Sequence, residues 1–146
     1  MVEELILFHR LTLLPIGEDM KTKPVVYIID DDQSVRRALK RLLNIAGFEV
    51  QPFASPEKFK EYLDANKNIC CCMVLDIQMP GMTGCDLLEY MKSSGIGIPV
   101  IVMTGFEDKK YQRLAKTYDN VIAFLQKPFD DCDILAAVEK SLKFKK

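Results

Sequence analysis

Three carboxylates stand in a row, Asp30-Asp31-Asp32, directly after the apolar run Val25-Val26-Tyr27-Ile28-Ile29. Like charges that close, at the end of a buried strand, raise one another's pKa or require a cation. A hard divalent ion such as Mg²⁺, which takes oxygen ligands, meets that requirement. A further acid, Asp76, ends a second apolar run, Met73-Val74-Leu75. With those two strand ends side by side, Asp30, Asp31 and Asp76 form an acidic metal-binding pocket. Lys127, just past the apolar run 121–125, adds a compact positive charge able to contact an anion, and Thr104, after a further apolar run, adds a hydroxyl donor. In such a pocket one carboxylate can attack an electrophilic phosphorus to form an aspartyl phosphate. The metal and Lys127 would neutralise charge developing on the phosphoryl oxygens. The residue types therefore imply a phosphoryl-accepting site.

The elements that must position these groups alternate regularly from Pro24 onward. Residues 25–29 read as a buried, β-branched strand. Residues 33–46 read as a helix, with Val35, Leu39, Leu42, Leu43 and Ala46 at helical spacing and Gly47 closing it. Residues 48–53 are a short second strand, and Ser55-Pro56-Glu57 opens a helix with Phe59, Tyr62 and Leu63 on its buried face. Cys70 to Leu75 form a third strand, 77–83 a loop, and 85–93 a helix with Leu87, Leu88 and Met91 inward. A fourth strand covers 98–103, with Pro99 near its start where no ladder bond is needed. A polar helix over 107–117, a fifth strand over 121–125 and a last helix over 131–143 complete the series. Five strand–helix units imply a parallel sheet covered on both faces. In such α/β folds the ligand crevice lies at the carboxyl ends of the strands. Asp30, Asp31, Asp32, Asp76, Thr104 and Lys127 all fall on that rim.

The chain has 146 residues, enough for one domain with a real core, and its net charge of −1 implies no bulk attraction to nucleic acid. Cys70, Cys71, Cys72, Cys85 and Cys132 are an odd number, and with His9 the one histidine a Cys/His zinc site is not expected. Cysteines 70–72 read as small buried hydrophobes, and unpaired thiols fit a reducing, cytoplasmic setting. The first 19 residues are apolar in patches (Leu5 to Phe8, Leu11 to Ile16). They are too short and too broken for a membrane helix, and Glu3-Glu4 is the wrong charge for a signal peptide. Residues 1–22 are thus read as an N-terminal extension, either disordered or an interaction arm, and residues 23–146 as the domain.

Four segments carry a family resemblance when taken together and in order: Ile28-Ile29-Asp30-Asp31-Asp32, Leu75-Asp76-Ile77-Gln78-Met79-Pro80-Gly81-Met82-Thr83-Gly84, Val102-Met103-Thr104-Gly105 and Phe124-Leu125-Gln126-Lys127-Pro128-Phe129. The chain resembles a receiver domain of a two-component response regulator, from about Lys23 to about Leu142. The resemblance implies a doubly wound, flavodoxin-like (CheY-like) α/β fold with strand order 2-1-3-4-5. It implies that Asp76 accepts a phosphoryl group from a sensor histidine kinase or phosphotransfer protein in a Mg²⁺-dependent reaction. By the same resemblance Asp30 and Asp31 organise Mg²⁺, Asp31 more directly, and the backbone carbonyl of Gln78 is a third protein ligand beside Asp76. Thr104 and Lys127 contact the phosphoryl group, Phe124 is the aromatic switch position, and Lys127-Pro128 carries a cis peptide bond. The face made by the fourth helix, fifth strand and last helix then acts on an output domain or partner protein, with a homodimer as a further option. Neither direct nucleic-acid contact nor membrane association is expected of the domain, and nothing after Leu142 resembles an output domain.

Several residues also have plainer readings. Asp32 suits a helix cap, Asp108, Asp130 and Asp131 suit caps or solvated acids, and Phe53, Phe59 and Phe129 suit the core. By the resemblance, Gln78 and Phe106, two residues after Asp76 and Thr104, border the path of an attacking water, and because Phe106 cannot orient that water slow self-dephosphorylation is expected. A competing class, the haloacid-dehalogenase type of phosphohydrolase, also uses an Asp nucleophile with Mg²⁺. It wants a second Asp where this chain has Gln78. A docking module that no longer accepts phosphate is the third reading, against which the intact acidic set, Thr104 and Lys127 all argue.

Overall fold

The computed structural model describes residues 23–65, 72–105 and 108–143. Five strands, β1 (Val25–Ile29), β2 (Glu49–Phe53), β3 (Cys72–Asp76), β4 (Val100–Thr104) and β5 (Val121–Gln126), alternate with five helices. The helices are α1 (Gln33–Ile45), α2 (Pro56–Ala65), α3 (Gly84–Ser93), α4 (Lys109–Ala115) and α5 (Asp131–Leu142). All strand pairs are parallel and the order is β2-β1-β3-β4-β5, as the resemblance implies.

Alternation along each strand divides the core in two. Val26, Ile28, Val74, Ile101 and Met103 pack under α1 and α5, against Leu39, Leu42, Leu43, Ile134, Leu135 and Val138. Tyr27, Ile29, Met73, Leu75 and Val102 face α2, α3 and α4, against Phe59, Leu87, Leu88, Met91 and Ala115. Because both faces are covered, β3 and β4 are buried at every position, which is why they read as unbroken apolar runs. β2 is an edge strand, and there Pro52 costs no ladder bond.

The helix ends follow local chemistry. Asp32 caps α1, its carboxylate accepting from Ser34 N–H at 2.8 Å and Val35 N–H at 3.4 Å. Gly47 ends the same helix at φ 101°, with Gly47 N–H bonded to Asn44 C=O and Phe48 N–H to Leu43 C=O. Ser55 Oγ accepts from Lys58 N–H at the start of α2. At α3 the Thr83 hydroxyl and the Asp86 carboxylate bond reciprocally to each other's backbone N–H.

Two elements differ from expectation by more than one residue at a boundary. β4 begins at Val100 rather than 98, since Pro99 contributes only its carbonyl, which accepts from Met73 N–H at 2.9 Å. α4 is a seven-residue helix, shorter than the expected 107–117, and Ala115 is its buried side chain. β3 is described from Cys72 onward, and its expected first residues, Cys70 and Cys71, lie outside the described residues. So do His9, the whole extension 1–22 and Phe106.

Gly84 ties this scaffold to the site. A Cβ there would lie 2.8 Å from both the Asp76 carbonyl oxygen and Ile77 Cα, and both are backbone atoms that cannot rotate aside. Replacing Gly84 with Ala should therefore destabilise the fold by about 1–3 kcal/mol, the usual cost of overpacking. The urea midpoint of G84A against the parent measures it, and an unchanged midpoint would show that the loop yields freely.

Candidate functional site: an acidic pocket with a shared lysine

The register of β1 and β3 pairs Ile29 with Leu75, so Asp30 and Asp76 leave neighbouring strands on the same rim. Asp30 is wholly buried and Asp76 is 7% exposed. Asp31 is exposed at the mouth, and single carboxylate oxygens of Asp30, Asp31 and Asp76 lie within 4.8 Å of one another. Lys127 arrives from the end of β5. Its Nζ stands 2.9 Å from Asp30 Oδ2 and 3.3 Å from Asp76 Oδ2, so one ammonium is shared by two buried acids. The peptide bond between Lys127 and Pro128 is cis, as the resemblance implies.

Each of these groups is held by backbone. Asp30 Oδ1 accepts from Asp32 N–H at 2.8 Å, and the Asp30 carbonyl accepts from Arg36 Nη1 at 2.7 Å. Asp76 Oδ1 accepts from Gln78 N–H at 3.3 Å. Lys127 N–H donates to the Thr104 carbonyl at 2.8 Å, and Ile77 N–H to the Met103 carbonyl at 3.1 Å. Thr104 is buried at the end of β4, the strand next to Asp76. Phe124 lies further away, half-buried in β5 opposite Val102, with the Lys116 ammonium 5.7 Å from its ring centroid. The structure thus brings Asp30, Asp31, Asp76 and Lys127 together, and sets Thr104 beside them and Phe124 at a distance.

The electrostatics are unbalanced. Burial, then the charge of Asp30, push the Asp76 carboxyl from its ordinary 3.8 up to about 6, against the lowering effect of Lys127 and the Gln78 N–H. For Lys127, burial alone would lower the ammonium. The bond to Asp30 and the charges of Asp30 and Asp76 outweigh that and raise it. A cluster of hard carboxylate oxygens carrying more negative charge than the shared ammonium offsets is suited to a divalent cation such as Mg²⁺. Among the described residues no cysteine joins this cluster: Cys72 and Cys85 are buried in the core, and burial pushes the Cys85 thiol up to about 11.

One expectation about acids needs adjustment. Asp108 is neither solvated nor a bonded cap: it is 5% exposed, and its carboxylate accepts from Gly105 N–H, bracing the turn directly after Thr104. Asp130 and Asp131 are exposed as expected, Asp130 as the N-cap of α5 with its N–H donated to Asp133 Oδ2 and Asp131 in the first turn. Sequence reasoning missed Arg36, Asp108 and Gly84 as supports of the site. The signal available for Asp108 was its place three residues after Gly105, and for Arg36 its place on the first turn after the acidic run.

Comparison with known proteins agrees with this geometry. The pattern of the response regulator receiver domain matches residues 26–139. The chain is 37% identical over 125 residues to the transcriptional regulatory protein FixJ of Bradyrhizobium diazoefficiens, covering 85% of this chain and 59% of that protein. It is 34% identical over 119 residues to the response regulator protein TodT of Pseudomonas putida, covering 82% of this chain and 51% of TodT. The crystal structure of FixJ-N superposes with a TM-score of 0.75 at 32% identity, covering 86% of this chain and 98% of that one. The chain belongs to the response regulator receiver domain family of two-component systems. It spans between half and three-fifths of the length of these two curated relatives.

The raised Asp76 pKa carries a stability consequence. In metal-free protein Asp76 binds a proton more tightly folded than unfolded, so its cost is absent below pH 4 and grows as pH rises through about 6. Asp76→Asn removes that cost while leaving the Lys127–Asp30 pair. In chelator at pH 7.5 the variant should be more stable than wild type by on the order of 1–2 kcal/mol, with the gap closing toward pH 4. Thermal unfolding of both proteins across that range measures it, and a variant less stable at every pH would contradict the charge imbalance.

Proposed function

We propose that this domain accepts a phosphoryl group on Asp76 and converts its arrival into a change of surface. The observation that supports this best is Lys127 Nζ 3.3 Å from an Asp76 carboxylate that belongs to a three-acid cluster. The donor would be a phosphohistidine of a sensor histidine kinase or phosphotransfer protein. An Asp76 carboxylate oxygen attacks phosphorus, the bond from phosphorus to the imidazole nitrogen breaks, and that nitrogen takes a proton. Ionisation is required of the nucleophile, and with a pKa of about 6 Asp76 is roughly nine-tenths ionised at pH 7.

Asp30, Asp31 and Asp76, with the backbone carbonyl of Gln78, would hold Mg²⁺. When bound, the ion would offset negative charge on the phosphoryl oxygens. Lys127 already touches Asp76, so a small movement of its ammonium brings it to those oxygens. Thr104 would donate its hydroxyl to the same group. That contact favours one of two arrangements of the turn after β4, which Asp108 braces through Gly105, and Phe124 would report the choice on the face made by α4, β5 and α5. The output domain or partner protein would read that face. The domain's own chemistry would be limited to gaining and losing this phosphoryl group, in a cytoplasmic setting. No helix among the described residues is long and apolar enough to cross a membrane.

Incubation with acetyl phosphate and Mg²⁺, followed by intact-mass measurement, tests the reading. Wild type should gain one phosphoryl adduct that Asp76→Asn lacks and that chelator prevents. An unmodified wild type, or an equal adduct on the variant, would overturn it.

A further inference from the structure

The two ends of α4 are held in opposite ways. At its start, toward the turn that follows Thr104, Lys109 and Lys110 are exposed and set two cations at the positive end of the helix dipole. The first turn carries no acid. The Asp108 carboxylate makes no capping bond there, because it turns back to Gly105 N–H. A tie near the start is also weak: Cys85 Sγ donates to the Tyr111 carbonyl at 3.6 Å, and a thiol is a poor donor.

The other end is closed by side chains. Arg113 stands in the last turn, where a cation suits the dipole, and the Thr117 hydroxyl donates to the Leu114 carbonyl at 2.7 Å. Tyr118 follows at 9% exposure, in the same apolar core as Ala115, Leu87 and Leu88. Its hydroxyl donates to Glu89 Oε2 of α3 at 2.7 Å, a charge-assisted bond in partly buried surroundings. Lys92, one turn along α3, sets its ammonium 5.8 Å from the Tyr118 ring centroid. The chain leaving Tyr118 is fixed as well. Asn120 Nδ2 donates to the Ile98 carbonyl at 2.9 Å, and the Asn120 carbonyl accepts from Val100 N–H at 2.7 Å.

We propose that Tyr118 is the fulcrum of α4: its bond to Glu89 pins the C-terminal end of the helix to α3, so that α4 opens from its N-terminal end, toward Thr104. A helix pinned at one end converts a small displacement at the other into a tilt. The seven residues make a lever about 10 Å long. The pin belongs to the ligand-free domain. That a phosphoryl group on Asp76 works the lever rests on the function proposed above.

Amide hydrogen exchange of the full chain in chelator, read residue by residue by NMR, tests the pin. Lys116 N–H bonds to the Gln112 carbonyl and Tyr118 N–H to the Ala115 carbonyl, while Gln112 N–H bonds to the Asp108 carbonyl at the loose end. In wild type the first two should exchange about ten-fold or more slowly than the third, after correction for intrinsic rates. Tyr118→Phe removes the hydroxyl alone. It should speed Lys116 and Tyr118 or its replacement by about ten-fold and leave Gln112 unchanged. Glu89→Gln keeps an acceptor without the charge and leaves the tyrosine packed, so it should do the same by about three-fold. Equal rates along α4 in wild type, rates unmoved by both substitutions, or acceleration of all three amides together would each overturn the proposal. Beryllofluoride with Mg²⁺, a mimic of the phosphoryl group, separates the two readings. Amide shifts should move at Lys109–Gln112 and hold at Lys116–Tyr118, and equal movement at both ends would overturn the lever. A wild type that does not respond anywhere would count against phosphoryl acceptance, while the exchange rates alone decide the pin.

Discussion

One ammonium held between two buried carboxylates organises this domain. Lys127 reaches Asp30 on β1 and Asp76 on β3 at 2.9 and 3.3 Å, linking the last strand of the sheet to its centre. Burying such charges is costly, and the attraction between them repays the cost only where geometry is tight and remaining lone pairs are bonded. The surrounding backbone supplies those bonds. Asp30 takes the N–H of Asp32, Asp76 takes that of Gln78, and the backbone of Lys127 is fixed by the Thr104 carbonyl. Deep packing of β1, β3 and β4 on both faces holds the strand ends that carry these residues in register.

The arrangement is satisfied in hydrogen bonds yet unsatisfied in charge. Asp76 shows it directly, its carboxyl raised to about 6 by burial and by Asp30 in spite of the lysine. A site in that condition favours whatever brings positive charge to its mouth, where Asp31 is exposed. The neighbouring elements are suited to respond. α4 is a seven-residue helix with Ala115 as its buried side chain, and before it Asp108 is tied to Gly105 twice, its carboxylate accepting from Gly105 N–H and its own N–H donating to the Gly105 carbonyl. Elements with few buried apolar contacts open locally at a lower free-energy cost than the core.

Much of this was legible in the sequence, for stateable reasons. Apolar runs mark buried parallel strands, and the residues just past them mark the rim, so Asp30, Asp76, Thr104 and Lys127 could be placed before any coordinates. Asp32 as cap and Gly47 as helix terminator follow from local backbone chemistry and stand as expected. Strand order is different: periodicity alone does not give lateral neighbours, and 2-1-3-4-5 came from resemblance. Asp108 was misread because burial of a charged loop residue is decided by tertiary packing, not by its own neighbours. Arg36 looked like one more surface base on α1, and only the fold shows its guanidinium turned back to the Asp30 carbonyl. Gly84 carries no sequence sign of the close approach to Asp76.

The three acids would form one cation site, left short of positive charge by Lys127 alone. Isothermal titration of metal-free protein with Mg²⁺, alongside Asp31→Asn and Asp76→Asn, tests it most directly. One ion should bind per wild-type chain, with affinity lowered by about ten-fold or more in each variant, as expected when a charged ligand is lost. Binding of equal strength in all three proteins, or no binding to wild type, would contradict it.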